Sequence, residues 1–313
     1  MIREEIIWSQ KYRPKVVEDC ILPESIKSSF REFVAQNKIP NLLLTGSQGC
    51  GKTTIAKALC EELDVDYITI NCSDDNGIDV LRGKIKNYAS SVSLSGGRKV
   101  IIMDEADFLN ANSIQPALRG AIEEFSKNCS FIFTCNYKNR IIEPLHSRCS
   151  VVEFRITKED KPKLMAQFFK RVCGILDLES ITYNKEVVAQ VINKYYPDNR
   201  RVLNELQRYA MGGTIDAGLL AQVSDIQLTP LITALKEKDF AGARKWLSDN
   251  DDIDSVTLYR KLYDSAYDTL KPNSVPQLVM LIAKYQYQNA FVADQQINTL
   301  AFCTEMMMEM EYQ

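Results

Sequence analysis

The stretch NLLLTGSQGCGKTT (residues 41–54) decides the fold. An apolar, β-rich run leads straight into a glycine-rich turn matching G-x-x-x-x-G-K-[ST] at Gly46, Gly51, Lys52 and Thr53. Gly49 and Gly51 let the backbone turn tightly, so that the N–H groups of the loop around Cys50 point inward at phosphates. Lys52 neutralises the β- and γ-phosphates, and the Thr53 hydroxyl suits Mg²⁺. The helix that starts here, at Lys52, Thr53 and Thr54, adds the positive end of its dipole. A bare match to this pattern arises by chance in many chains. Set between an apolar strand and a helix start, it predicts an ATP site with Mg²⁺.

Outward from this loop, residues 41 to about 154 alternate apolar runs with amphipathic stretches. DYITIN (66–71), KVIIMD (99–104), SFIFTCN (130–136) and SVVEF (150–154) read as strands, and 52–63, 77–91, 111–126 and 139–146 as helices. Near-continuous apolar strands alternating with helices predict an α/β domain with a parallel sheet covered on both faces. The strand VIIMD ends in Asp104 and Glu105. An acid at a strand's carboxyl end beside a phosphate loop can hold Mg²⁺ through water, and the next carboxylate can act as base toward the attacking water. The following strand ends in TCN, which puts Asn136 where a neutral side chain helps to position that water. Lys52, Glu105 and Asn136 are the expected catalytic groups, and Thr53 and Asp104 the expected metal ligands.

After residue 155 the strand signals stop. TKEDKPKLMAQFFKRVCGIL opens with Thr157 as a cap and an acidic first turn. Further helices are expected at 184–196, 199–211 and 215–223. Pro230 and the helical runs 231–248, 255–270, 275–288 and 292–312 indicate a third, all-helical part.

The chain has 313 residues, which at about 150 per domain allows two or three domains. Its 38 basic and 41 acidic side chains leave a net charge of −3, which excludes a uniformly basic DNA condenser but not one focused basic face. One histidine, His146, excludes any multi-histidine metal site. Nine scattered cysteines without a Cys-x-x-Cys pair exclude a zinc ribbon and predict reduced thiols. No apolar run nears the ~18 residues of a membrane span, so no membrane association is expected. The expected location is the cytoplasm, that of the host if the source is viral.

In this order, phosphate loop, acidic strand and polar strand end resemble an AAA+ ATPase, and the details resemble a sliding-clamp loader of the replication factor C type. The segment WSQKYRPKVVEDCILPE (8–24) is similar to the family's opening signature around KYRP. In relatives this segment folds over the adenine, which implies that Gln10, Lys11, Tyr12 and Ile21 lie near the base. IIEPLHSRCSVVEF contains the family's Ser-Arg-Cys motif at Ser147, Arg148 and Cys149, implying that Arg148 completes a neighbour's site in trans. YPDNRRVLNELQ resembles the lid motif with the second sensor arginine, Arg200 here. DCILPE and the compact lid are closest to the large clamp-loader subunits of T4-like bacteriophages, with archaeal small subunits the next nearest.

The resemblance implies an AAA+ domain (1–155), a helical lid (156–226) and a helical collar (227–313). The implied partners are a sliding clamp, a companion small subunit, further copies in a ring, as in a heteropentamer, and primer-template DNA. The helix at 77–90 lines the DNA chamber in clamp loaders, so Arg82 and Lys86, one turn apart, become candidate phosphate contacts, with Ile78, Leu81, Ile85 and Tyr88 facing the core. Phe108 and Leu109 suit clamp docking if exposed and the core if buried. His146 stands where relatives carry glutamine and reads as a surface residue. The string DEAD (104–107) invites a helicase reading, but nothing after residue 155 supplies strands for a second motor domain. An AAA+ remodelling or branch-migration ATPase that does not act on a clamp is the alternative.

Overall fold

The computed structural model describes residues 7–74, 78–91, 97–216, 228–250, 253–289 and 291–313. Internal contacts divide the chain into two units, one ending at Val223 and the other starting at Ser224.

The first unit is built on five parallel strands, β1 (Leu42–Gly46), β2 (Tyr67–Asn71), β3 (Lys99–Asp104), β4 (Cys129–Cys135) and β5 (Ser150–Phe154), in the order β2-β3-β4-β1-β5. Every residue of β4 is buried, whereas the edge strands β2 and β5 are partly exposed. Successive side chains alternate between two cores, as the two-residue period of a strand requires. Leu42, Leu44, Ile102 and Ile132 pack under α2 (Glu24–Ala35) and α3 (Lys52–Glu62), with Phe30, Ile55 and Leu59. Leu43, Ile101, Met103, Phe131 and Phe133 pack on the opposite face under α4 (Ile78–Ser90) and α5 (Ile114–Glu124), with Leu81, Ile85, Leu118 and Ile122. These two layers explain why the strand sequences are apolar at nearly every position. The helix expected over 139–146 shrinks to a 3-10 turn at Lys138–Arg140 and α6 (Glu143–His146), with Pro144 in its first turn.

The lid helices are α7 (Asp160–Leu178), α8 (Lys185–Tyr195) and α9 (Asn199–Ala210). The Thr157 hydroxyl accepts from the Asp160 N–H at 3.1 Å, the cap expected of it. Leu164, Phe168, Val172, Val188, Val191 and Leu206 form the lid core, and Trp8 of the short α1 (Trp8–Lys11) is inserted into it. Strand pairing does not end at residue 155. Thr182–Tyr183 (β6) and Thr214–Ile215 (β7) form a two-stranded parallel sheet, too short to leave a period in the sequence. Most of the helix expected over 215–223 lies outside the described residues.

The second unit contains α10 (Thr229–Glu237), α11 (Phe240–Asp249), α12 (Ser255–Asp264), α13 (Ala266–Thr269), α14 (Ser274–Asn289) and α15 (Gln295–Glu309). They pack around Tyr259, Leu278, Phe302 and Met306. The single helix expected over 231–248 is two. Lys238 enters the left-handed region at φ 58°, and Asp239 restarts the chain by accepting from the Gly242 N–H. Among the described residues no helix is long and apolar enough to cross a membrane.

Candidate active site

Strands β3, β4 and β1 are neighbours, so the loop after β1, the acids ending β3 and the tip of β4 converge at one edge. Open α/β sheets bind ligands at this carboxyl edge. A cleft of about 280 Å³ opens there, with Gly49, Gly51, Lys52, Thr53 and Thr54 in its wall beside Asp104, Glu105 and Asn136. Gly49 and Gly51 stand at φ 69° and 98°, left-handed conformations that a side chain would strain. Cys50 is buried, its thiol pushed up in pKa by desolvation, and its side chain packs in the core under α2 and α3. Its sulfur lies 3.9 Å from Lys52 Nζ.

Lys52 is 8% exposed. Its Nζ donates to the Gly46 carbonyl at 2.9 Å, the Ser47 carbonyl at 2.8 Å and Asn136 Oδ1 at 2.9 Å. All three acceptors are uncharged, so the positive charge is held in place without being neutralised by them. Asp104 Oδ1 accepts from Thr53 Oγ1 at 2.7 Å and from Thr134 Oγ1 at 2.5 Å. The Thr134 oxygen in turn accepts from the Glu105 N–H at 3.1 Å. Glu105 sits at φ 57°, a conformation that costs a non-glycine residue about 1–3 kcal/mol and turns the chain sharply after β3. The buried Asp107 Oδ2 accepts from the N–H groups of Asn136 and Tyr137, both at 3.3 Å, and so fixes the tip of β4. A hydroxyl and a carboxylate 2.7 Å apart form a hard oxygen donor set of the kind Mg²⁺ prefers, so Thr53 and Asp104 fit the implied ion.

The other end of the cleft is lined by Ser9, Tyr12, Arg13, Pro14, Asp19 and Ile21 from the N-terminal segment, with Phe168, Arg171, Asn199, Arg200 and Leu203 from the lid. Tyr12, Ile21 and Arg200 line the cleft, and Gln10 and Lys11 are absent from its wall. Gln10 is exposed on α1, and Lys11 Nζ is drawn to Glu179 at 2.7 Å, away from the cleft. The start of α9 rests on the phosphate loop. Asp198 caps the helix by accepting from the Arg201 N–H, and the Asn199 N–H donates to the Gly49 carbonyl at 3.3 Å. A Cβ on Gly49 would lie 1.8 Å from Asp198 Oδ1.

Arg148 lies outside the cleft wall. Its guanidinium donates to Glu123 Oε1 through Nε at 2.9 Å and to the Pro144 carbonyl at 3.0 Å, and it holds the Glu123 carboxyl below the usual range. Arg82 and Lys86 are exposed on α4 while Leu81 and Ile85 are buried. The Ile78 side chain lies outside the described residues. Phe108 is 54% exposed, but Leu109 is 3% exposed and belongs to the core. His146 Nε2 is 3.1 Å from the Ile141 carbonyl and away from the cleft. All nine cysteines are unpaired.

Sequence reasoning missed Thr134, Asp107, Gln115 and Arg171. Gln115 is fully buried, donating to the carbonyls of Leu109 and Arg140 and accepting from the Ile142 N–H. A polar residue in the buried phase of α5, beside Ile114 and Leu118, was its available signal, as was a threonine inside the apolar β4 for Thr134. No local pattern marked Arg171.

Residues 42–157 match the model of the ATPase family associated with various cellular activities (AAA), and residues 160–221 match the AAA+ ATPase lid domain of sliding-clamp-loader large subunits. The chain is 34% identical to the sliding-clamp-loader large subunit of Enterobacteria phage T4 over 99% of its own length and 98% of that protein. It is 39% identical to the same subunit of Escherichia phage RB69, covering 86% of this chain and 85% of that one. The replication factor C small subunit of Natronomonas pharaonis is 35% identical, over 77% of this chain and 75% of the relative. A solved RuvB mutant from Thermotoga maritima shares the fold, with a TM-score of 0.55 at 18% identity over 81% of this chain and 79% of that chain. With a nucleotide cleft at the sheet edge, a lid matched as a clamp-loader lid and identity carried across nearly the whole length, this chain belongs to the sliding-clamp-loader large-subunit family of AAA+ ATPases.

Proposed function

We propose that the chain is the ATPase subunit of a DNA-polymerase clamp loader, using ATP binding and hydrolysis to open a sliding clamp and set it on primer-template DNA during replication. The observation that carries this reading is the convergence of Lys52, Asp104, Glu105 and Asn136 on one cleft in a chain related end to end to clamp-loader large subunits. Lys52 binds the β- and γ-phosphates, and Gly49 to Thr54 cradle them with backbone N–H groups. Thr53, and Asp104 through water, would hold Mg²⁺, which when bound would offset charge on the phosphate oxygens. Glu105 accepts the proton of the attacking water at its carboxylate, and Asn136 orients both that water and Lys52. Arg200 reaches the γ-phosphate from the lid. Tyr12 and Ile21 face the adenosine.

Arg148 serves a neighbouring subunit, where a cation stabilises charge spreading over the transferred phosphoryl group. Its absence from its own cleft wall supports this. Hydrolysis is then a property of the ring, made with companion subunits in the cytoplasm of the host cell and stimulated by DNA tracked by Arg82 and Lys86. Residues 1–155 carry the chemistry, 156–226 the lid and 227–313 the collar. The test mixes Arg148→Ala with Lys52→Ala subunits in assembled loaders supplied with clamp and primer-template DNA. Each variant alone should turn over on the order of 10³-fold more slowly than wild type. Mixtures should recover turnover at interfaces that pair an intact phosphate loop with an intact finger. Co-assembled mixtures that never exceed the sum of the two variants would remove the trans role.

A further inference from the structure

We propose that Arg171 is a positioning residue for the nucleoside end of the cleft. This lid guanidinium holds the N-terminal segment in the shape that receives the base, and the inference rests on the nucleotide-site reading above. Arg171 lies on α7 beside the buried Phe168 and Val172, at the margin of the lid core. One of its terminal nitrogens donates to the Asp19 carbonyl at 2.9 Å and the other to the Tyr12 carbonyl at 2.8 Å. The planar fork thus joins two backbone acceptors that lie on either side of Pro14 and Val17, a geometry that a rigid guanidinium provides and a single-point cation does not.

The segment needs such a tie because its anchors pull in two directions. Trp8, Tyr12 and Ile21 pack with the lid core, whereas Val17, Cys20 and Leu22 pack with the sheet core under α2 and α3. The Val17 N–H is also held on the sheet side, donating to Glu62 Oε2 at 2.6 Å. Between these anchors, Tyr12, Arg13, Pro14 and Asp19 line the cleft, and Arg171 binds the carbonyls at both ends of this stretch. Pro14, Cys20, Ile21, Phe168 and Leu203 give this mixed wall an apolar portion, which suits a flat heteroaromatic ring. By occupying the Tyr12 and Asp19 carbonyls, Arg171 also determines which backbone acceptors of the segment stay free to read such a ring.

Two probes separate this role from a general structural one: ATP, which uses both ends of the cleft, and inorganic triphosphate, which uses only the phosphate loop. Titration of the full chain should show Arg171→Ala weakening ATP about tenfold, equivalent to about 1.4 kcal/mol, while triphosphate binding stays within about twofold. Arg171→Lys should recover part of the ATP loss, because an ammonium still reaches one carbonyl, and should keep the test open if the alanine variant fails to fold. Parallel loss of both probes in the folded variants, with wild type still preferring ATP, overturns the Arg171 assignment alone. Wild type holding both probes equally overturns the nucleoside reading of this end, and Arg171's role with it.

Discussion

The two ends of the cleft are made by different means. At the phosphate end each group sits within a few residues of a strand terminus, so one parallel sheet aligns Lys52, Asp104, Glu105 and Asn136 at a stroke. At the end proposed for the nucleoside the wall includes Tyr12, Asp19 and Arg171, with the arginine 159 and 152 positions from its two acceptors. The first arrangement is robust because the sheet core enforces it. The second holds only while the lid and the N-terminal segment stay docked.

The largest expected effect belongs to the sheet-built end. Lys52→Ala should weaken ATP and inorganic triphosphate alike by at least about 100-fold, since on the proposed reading it removes the buried cation that meets the phosphates. Glu105→Gln should retain ATP and slow turnover by about 10²-fold or more, because on that reading only the base is altered. Equal loss of binding in the two variants, measured by fluorescent-nucleotide titration, would break the division of labour at this end. Gly49→Ala should act on both ends together. It forces a side chain into φ 69° and against Asp198, strain of about 1–3 kcal/mol, and should loosen the lid and weaken ATP by about tenfold. An unchanged melting temperature with unchanged ATP affinity would show that the lid does not bear on the loop.

The smallest effect tests the docked segment by pH. Glu179 accepts from Lys11 Nζ at 2.7 Å and from the Tyr12 hydroxyl at 2.5 Å, and these bonds hold its carboxyl below the usual carboxylate range. A carboxyl depressed on folding adds stability above its ordinary pKa and loses it as pH falls through the lowered value. Glu179→Gln should therefore flatten the acid limb of a melting-temperature profile below about pH 4.5. At pH 7 it should shift the midpoint by roughly 2 °C or less, because the pair is largely solvated. An acid limb identical to wild type would show that Glu179 does not tie the segment down.

Legibility in the sequence follows the same division. The strands expected at 66–71 and 99–104 are Tyr67–Asn71 and Lys99–Asp104, because hydrophobic period and strand burial are local properties. The phosphate loop was legible for the same reason, since its chemistry needs adjacent residue types. That Gln10 and Lys11 lie outside the cleft wall on a four-residue helix was not legible, because only the distant Glu179 reveals it. Arg171 looked like any charged residue on an amphipathic helix until its two carbonyls, from another part of the chain, were in view. The break at Lys238 was also hidden, since a lysine gives no cue to a left-handed turn, although Asp239 carried the capping signal for the next helix.

The seat of α9 on Gly49 has a mechanical meaning. Most contacts between packed elements include a layer of side chains that can switch rotamers and absorb small displacements. Here the Asp198 cap and the Asn199 N–H meet bare backbone, with no room for even one methyl group between them. A joint of this kind has no slack. A rotation of the lid is therefore expected to act directly on the turn proposed to grip the phosphates, and a shift of that turn to act back on the lid.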